Sequence, residues 1–244
     1  MVEPRIELRP AGQRFVSTAD GIVSRHSFSY GRHYDPGNVA HARLLVNNEE
    51  FLAVDAGFDD HPHAEAEIVT WMLAGSLVHE DSRGHSGVIY PGQAQRMSAG
   101  SGILHAERND AYRIAPDRSP EPARFIQMWL RPDEPGLPPS YEQRPVELAD
   151  LDRGWVPVAS GYDPEAAVSL GCAAATLWVT RLGPGAVRTL PEAGHVHAFL
   201  AGGLANVEGV GELASGDALR ITGPAGLRVT GEVAAELLVW TMEP

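Results

Sequence analysis

The sequence predicts an all-β protein built from two tandem β-barrels, and three observations lead there. Glycine (26) and proline (19) interrupt short apolar runs in a chain of 244 residues that is 43% hydrophobic, which suits many short strands and turns better than long helices. Those runs are bounded by Gly, Pro, Asn and Asp clusters, as strands are. The second half also repeats the first. WMLAGSL at 71–77 matches AFLAGGL at 198–204, the stretch around AQRMSAGSGILH at 94–105 matches SGDALRITGPAGLRV at 215–229, and FIQMWL at 125–130 matches ELLVWTM at 236–242. Copies spaced by about 125 residues imply two homologous barrels rather than a solenoid.

Taken in order, RFVSTADGIVSRHSFSYG at 14–31 gives short β-compatible pieces, and Tyr34-Asp35-Pro36-Gly37-Asn38 is a turn with Pro and Gly in favoured places. HARLLVNNEEFLAVDAGFDD at 41–60 reads as a strand, an Asn-Asn turn and a second extended segment. EAEIVTWMLAGSL at 65–77 is a buried strand, and VHEDSRGHSGVIY at 78–90 a hairpin turning at Ser82-Arg83-Gly84. Residues 109–123 are polar and Pro-rich, a surface loop before the strand RFIQMWL. The expected division is a first unit over 1–132, a Pro-rich acidic connector over 133–150 and a second unit over 151–244.

The chemistry concentrates in His61-Pro62-His63 and His105-Ala106-Glu107. Pro62 fixes φ near an extended value, and alternate residues of an extended segment share a face, so His61 pairs with His63 and His105 with Glu107. If the two segments lie side by side, three imidazoles and one carboxylate converge. Such a set suits a divalent transition metal and leaves coordination positions for water, O2 or substrate. The other histidines of the first half, His26, His33 and His41, read as packing or hydrogen-bonding residues. His79, Glu80, Asp81 and His85 flank the hairpin tip and read as structural or solvated. In the second half, the repeat places Arg188, Leu190, Val229 and Gly231 at the four ligand positions, while His195 and His197 fall out of register. No metal is expected there.

A formal net charge of −13 argues against nonspecific nucleic-acid binding, which needs a positive footprint. Cys172 is the only cysteine, so an intrachain disulfide is excluded, and its apolar setting predicts a buried packing residue. Neither a membrane-length apolar run nor a signal-like start is seen in the sequence, and a cytoplasmic monomer is the expectation.

The run from His61 to Glu107 resembles the signature of the pirins, two-domain members of the cupin superfamily, and especially their bacterial branch. The matching features are FSYGRHYDP, RLLVNN, HPH, E-I-V-T, H-x-D-S-x-G, the Pro-Gly turn, M-S-A-G-x-G-I-x-H-x-E and Q-x-W. The resemblance implies a bicupin fold, with iron(II) in the first barrel on His61, His63, His105 and Glu107 and a degenerate second barrel. Manganese, nickel, cobalt, copper or zinc are the alternative ions. It further implies an activity like quercetin 2,3-dioxygenase, in which Glu107 accepts the 3-hydroxyl proton of a flavonol-type substrate, O2 is consumed and carbon monoxide is released. The alternatives are a regulator or redox sensor that reads its iron out to a protein partner, and a metal site kept only for stability. After HPH the family usually carries Arg and a bulky apolar residue, where this chain has Ala64-Glu65-Ala66. That departure implies a wider or more acidic pocket.

Overall fold

In a computed structural model, residues 3–115 and 119–243 form 22 strands and one α-helix, Leu148–Arg153. Each half of the chain builds a large sheet facing a small one. The first large sheet runs in the order Ser140–Pro145, Gln93–Ser98, Glu67–Ala74, Ala123–Leu130, Leu44–Leu52, Ile22–His26, Phe15–Ala19. Its small partner runs Gly57–His63, Ile103–Arg108, Leu77–Asp81, Ser86–Ile89. The second half repeats this plan. Its large sheet is Arg5–Arg9, Ala218–Thr222, His195–Gly202, Ala235–Met242, Ala175–Leu182, Val156–Ser160, Val168–Ser169, and its small one is Val187–Thr189, Arg228–Gly231, Leu204–Val207, Gly211–Ala214. This is the bicupin architecture the repeat foreshadows.

Period-2 alternation decides what each large sheet does with its two faces. Val69, Trp71, Ile126, Met128 and Leu130 of the first point outward and meet Leu177, Phe199, Leu238 and Trp240 of the second, so the largest apolar cluster lies between the barrels. Among the side-chain bonds that cross between the barrels, Trp71 Nε1 donates to Glu236 Oε1 over 2.7 Å and Trp240 Nε1 to Met128 Sδ over 3.2 Å. Cys172 is buried within the same cluster.

The inward faces differ between the barrels. In the first, Thr70, Gln95 and Gln127 are cross-strand neighbours and form a polar band, with Leu52, Met72, Leu77 and Phe125 packed on one side and Ile68, Met97 and Ile103 on the other. In the second barrel, the corresponding neighbours are Ala198, Leu219 and Val239. They belong to one apolar cluster with Leu190, Val207 and Val229 that fills the interior. His197 points the other way, toward the first barrel, with its ring 5.7 Å from that of Phe28.

Three sequence expectations need refinement. Asn47-Asn48 makes no turn, because Leu44–Leu52 is one continuous strand. Asn48 Oδ1 bonds His26 Nδ1 at 3.0 Å and Asn47 Nδ2 donates to Ser27 Oγ at 3.2 Å, so both amides stay inside the sheet. Within the loop expected over 109–123, Ala111–Arg113 forms a 3-10 turn, and residues 116–118 lie outside the described residues. The unit boundaries are also crossed. Arg5–Arg9, from the 1–132 stretch, pairs along its whole length with Ala218–Thr222 of the second barrel. Ser140–Pro145, from the connector, pairs with Gln93–Ser98 of the first. One edge strand of each large sheet therefore comes from the segment that precedes the other barrel.

Candidate metal centre

The histidine cluster is assembled by three neighbouring strands of the first small sheet. Gly57–His63 is its edge strand, where the missing N–H of Pro62 costs no ladder bond to a second neighbour. Across from it, Ile103 stands opposite His63 and His105 opposite His61. The register then slips by one residue between His105 and Glu107. Gly57 permits the slip, because a Cβ there would overlap the Glu107 carbonyl oxygen.

Convergence follows from this register. His61, His63 and His105 each bring one ring nitrogen within 4.8 Å of the others. His61 Nε2 and His105 Nε2 are 3.0 Å apart, about what two nitrogen ligands at right angles around an ion roughly 2.1 Å away would show. Glu107 is brought to His105 from the other side, and the second group of mutually close donor atoms is His79, His105 and Glu107. His105 belongs to both groups. Its Nε2 faces His61, and its Nδ1 lies 3.4 Å from His79 Nδ1.

Two buried atoms in this cluster have no hydrogen-bond partner among the described residues, His63 Nε2 and Glu107 Oε1. The other carboxylate oxygen, Glu107 Oε2, accepts from Gln127 Nε2 at 2.8 Å. Orphaned acceptor-type atoms beside neutral imidazoles are what a cation site leaves when described by protein atoms alone. Burial, with a smaller contribution from neighbouring rings, pushes His63 and His105 down to about 3, so both are neutral and ligand-competent at ordinary pH. Burial also raises the Glu107 carboxyl, an effect that an adjacent cation would reverse.

His79 and Asp81, expected to be structural or solvated, are inside the barrel. Glu107 pairs directly with His79, and His105 with Asp81. The side chains of His79 and Asp81 are fully buried. Gln95 Nε2 lies 3.3 Å from His79 Nδ1, and the ring of Tyr141 stacks on His79 at 4.7 Å. His85, at the exposed end, bonds Asp81 Oδ2 through Nδ1 at 2.9 Å. The signal was present in the sequence, since His79 and Asp81 alternate with the same period as the other two pairs. Gln95, Gln127 and Trp129, whose ring stands 4.7 Å from that of His63, carried no local signal. His26 and His33 share Ser17 Oγ, at 3.0 and 3.2 Å, and His41 bonds the Val196 carbonyl, as packing histidines do.

The pattern of the Pirin family matches residues 10–130. A Mycobacterium tuberculosis protein named "Putative quercetin 2,3-dioxygenase" is 48% identical over 238 residues, covering 97% of this chain and 95% of its own. The chain belongs to the pirin family. The quercetin 2,3-dioxygenase of Escherichia coli is 37% identical over 139 residues, 57% of each chain. Among solved structures, the bacterial pirin YhhW of E. coli in complex with nickel(II) superposes with a TM-score of 0.86 at 28% identity, over 98% of this chain and all of that one.

In this pirin His63 of the cluster borders a surface depression of about 510 Å3 whose lining also includes Pro62, Ala64, Ser82, Gly102 and Leu104. Ala64, from the departure after HPH, lines this depression. Glu65 does not make the opening acidic. Its carboxylate turns away and accepts from the Gly136 N–H at 3.0 and 3.2 Å, tying the connector to the barrel. No helix among the described residues is long and apolar enough to cross a membrane.

Proposed function

We propose that the first barrel is a metal-dependent dioxygenase centre for a flavonol-type substrate, with one divalent ion held by His61, His63, His105 and Glu107. The observation that carries this reading is the pair of orphaned buried atoms, His63 Nε2 and Glu107 Oε1, beside the close His61 and His105 nitrogens. Three neutral nitrogens and one carboxylate oxygen suit iron(II) and most of the first transition row. The nickel(II) complex of the E. coli relative supports metal binding by this fold. When bound, the ion would supply Lewis acidity toward a substrate hydroxyl and redox contact with O2.

The chain's own groups divide the remaining work. Gln127 fixes Glu107 through Oε2, which leaves Oε1, with two lone pairs, to face both the ion and the substrate's hydroxyl proton. Trp129 and Ile103 border the histidines and keep water from the reacting face. Leu104, half exposed beside the depression, offers apolar contact to a flat aromatic substrate.

The decisive experiment is oxygen uptake with loss of flavonol absorbance, using quercetin, on protein of verified metal content. Turnover in wild type that disappears in His61→Ala and Glu107→Gln supports the reading. Bound metal without turnover points instead to the regulator or sensor, and turnover that survives both substitutions places the chemistry elsewhere.

A further inference from the structure

A small cavity lies where the crossing amino-terminal segment meets both barrels. Its walls include Arg9 and Arg14 from that segment, Ser27 and Asn38 from the first barrel, and His197 and Arg220 from the second. His197 is fully buried, Arg220 is 5% exposed, and the Arg14 side chain is likewise 5% exposed.

The charges around it do not balance. Arg14 shares the buried Glu49 carboxylate with Arg124, at 2.7 and 2.6 Å. Arg9 pairs with Glu7 at 2.8 Å. Arg220 donates to the Ser27 carbonyl at 3.0 Å and lies 4.1 Å over the Phe28 ring. Its cross-strand neighbour Glu7 is the carboxylate nearest in effect, but is ion-paired to Arg9 instead, which leaves the three guanidinium groups with one carboxylate besides the Glu49 that Arg14 already shares. A buried cation left this way is costly unless something neutralises it.

The hydrogen-bond count points the same way. Arg9 Nε, Arg14 Nε and Nη1, and Arg220 Nε are buried donors without a partner among the described residues. Against these four stands one orphaned amide acceptor, Asn38 Oδ1. Both nitrogens of His197 are also unpartnered, and burial beside Arg220 keeps that ring neutral, so it supplies one donor and one acceptor. Water donates as much as it accepts and leaves the surplus donors unmet, whereas an acceptor-only occupant meets them.

Size narrows the choice. The space open to the centre of a water molecule is about 20 Å3, little more than the roughly 10–15 Å3 that one water needs. A second cavity of about 200 Å3 shares the Arg9 and Arg220 walls and borders the exposed Arg5 and Gly37, so these two arginines, Arg9 and Arg220, stand between the small cavity and solvent. We infer that this inter-barrel cavity binds one compact monovalent anion of halide size, held between Arg14 and Arg220 with Arg9 on the solvent side. The ion fastens the crossing segment to both barrels by offsetting repulsion among the three guanidinium groups.

The test uses the full-length protein as purified, in sodium gluconate, chloride or bromide at one ionic strength. Halide should raise the thermal midpoint by about 2–4 °C over gluconate, and the shift should vanish in Arg220→Met. Crystals grown in bromide should show an anomalous peak between Arg14 and Arg220. If Arg220→Met does not fold, Arg220→Lys replaces it, and there the halide concentration for half the shift should rise about tenfold or more. Three results overturn the site: equal midpoints in all three salts, a halide shift unchanged in the Arg220 variants, which puts the ion elsewhere, or a bromide peak with no halide-specific shift in solution, which makes it an adventitious ion only.

Discussion

Gln127 Nε2 donates to Glu107 Oε2 over 2.8 Å, joining the large sheet of the first barrel to the small one across its interior. The bond leaves one carboxylate oxygen committed and one free, which a ligand that must also keep its orientation requires. Gln127→Leu should lower metal affinity by about 10–100-fold while the barrel still folds. Metal content measured against graded chelator checks this, and an unchanged affinity removes Gln127 from the support of the site.

Acid should destabilise the metal-free protein in a window set by its buried rings. His63 and His105 are pushed down to about 3 and His41 to about 4, by burial first in each case. His26 and His197 are lowered as well, also mainly by burial. These folded values lie below the unfolded one near 6.5, so the unfolded chain binds more protons and stability falls as pH drops through about 6.5 toward 3. Glu50, raised to about 7 mainly by burial, acts in the opposite sense between about 4.5 and 7, and Glu107, raised for the same reason, acts in that sense too. Five rings outnumber two carboxyls, so near pH 5 unfolding should take up protons on balance. The slope of urea-unfolding free energy against pH measures that uptake, and His105→Phe should reduce it by about one proton. A flat slope would contradict the burial of these rings.

The edge strand Arg5–Arg9 completes the second barrel, although it is the first strand of the chain. Removing residues 1–9 should leave amides of Ala218–Thr222 unpaired on that side. Hydrogen exchange should then show lost protection there, with unchanged protection in Ile103–Arg108. Loss centred on the first barrel instead would contradict the crossing.

How much of this was legible in the sequence depended on the range of the contacts involved. His61 with His63 and His105 with Glu107 are pairs two residues apart, and strand periodicity alone puts each on one face. The repeat exposed the two barrels because WMLAGSL and AFLAGGL are both apolar strands running into a glycine turn, although the inward and outward positions of the two copies are offset by one residue. What escaped was set by partners far along the chain. Arg5–Arg9 finds Ala218–Thr222 across more than 200 residues, and no local pattern announces it. Asn47-Asn48 resembled a turn because Asn favours turns, yet His26 and Ser27 give those amides partners inside the sheet.

The inter-barrel core should make the halves unfold together. Trp240 is fully buried, packs with residues of both barrels and donates to Met128 Sδ. Trp240→Ala should cost about 3–5 kcal/mol. A single calorimetric transition is expected in wild type, with the calorimetric and van't Hoff enthalpies equal. Two resolved transitions in wild type would show that the interface does not couple the barrels.

His79 separates two descriptions of the centre. It stands cross-strand from Glu107 and 3.4 Å from His105 Nδ1, so its place suits a group that holds His105 in position while the ion takes the Nε2 side. It is also one of the three mutually close donors on the Glu107 side, and an ion bound there would use it directly. If His79 positions, His79→Leu should still bind one ion per chain, with affinity about 10–100-fold weaker, whereas His105→Ala should abolish binding. If His79 ligates, both variants should lose the ion alike, and His61→Ala and His63→Ala should retain it. Titrating all four variants with cobalt(II) and reading its visible absorption distinguishes these outcomes by stoichiometry and by the ligand-field spectrum. Because His63 Nε2 is the orphaned nitrogen and both His79 nitrogens have neighbours within hydrogen-bond reach, the positioning outcome is expected.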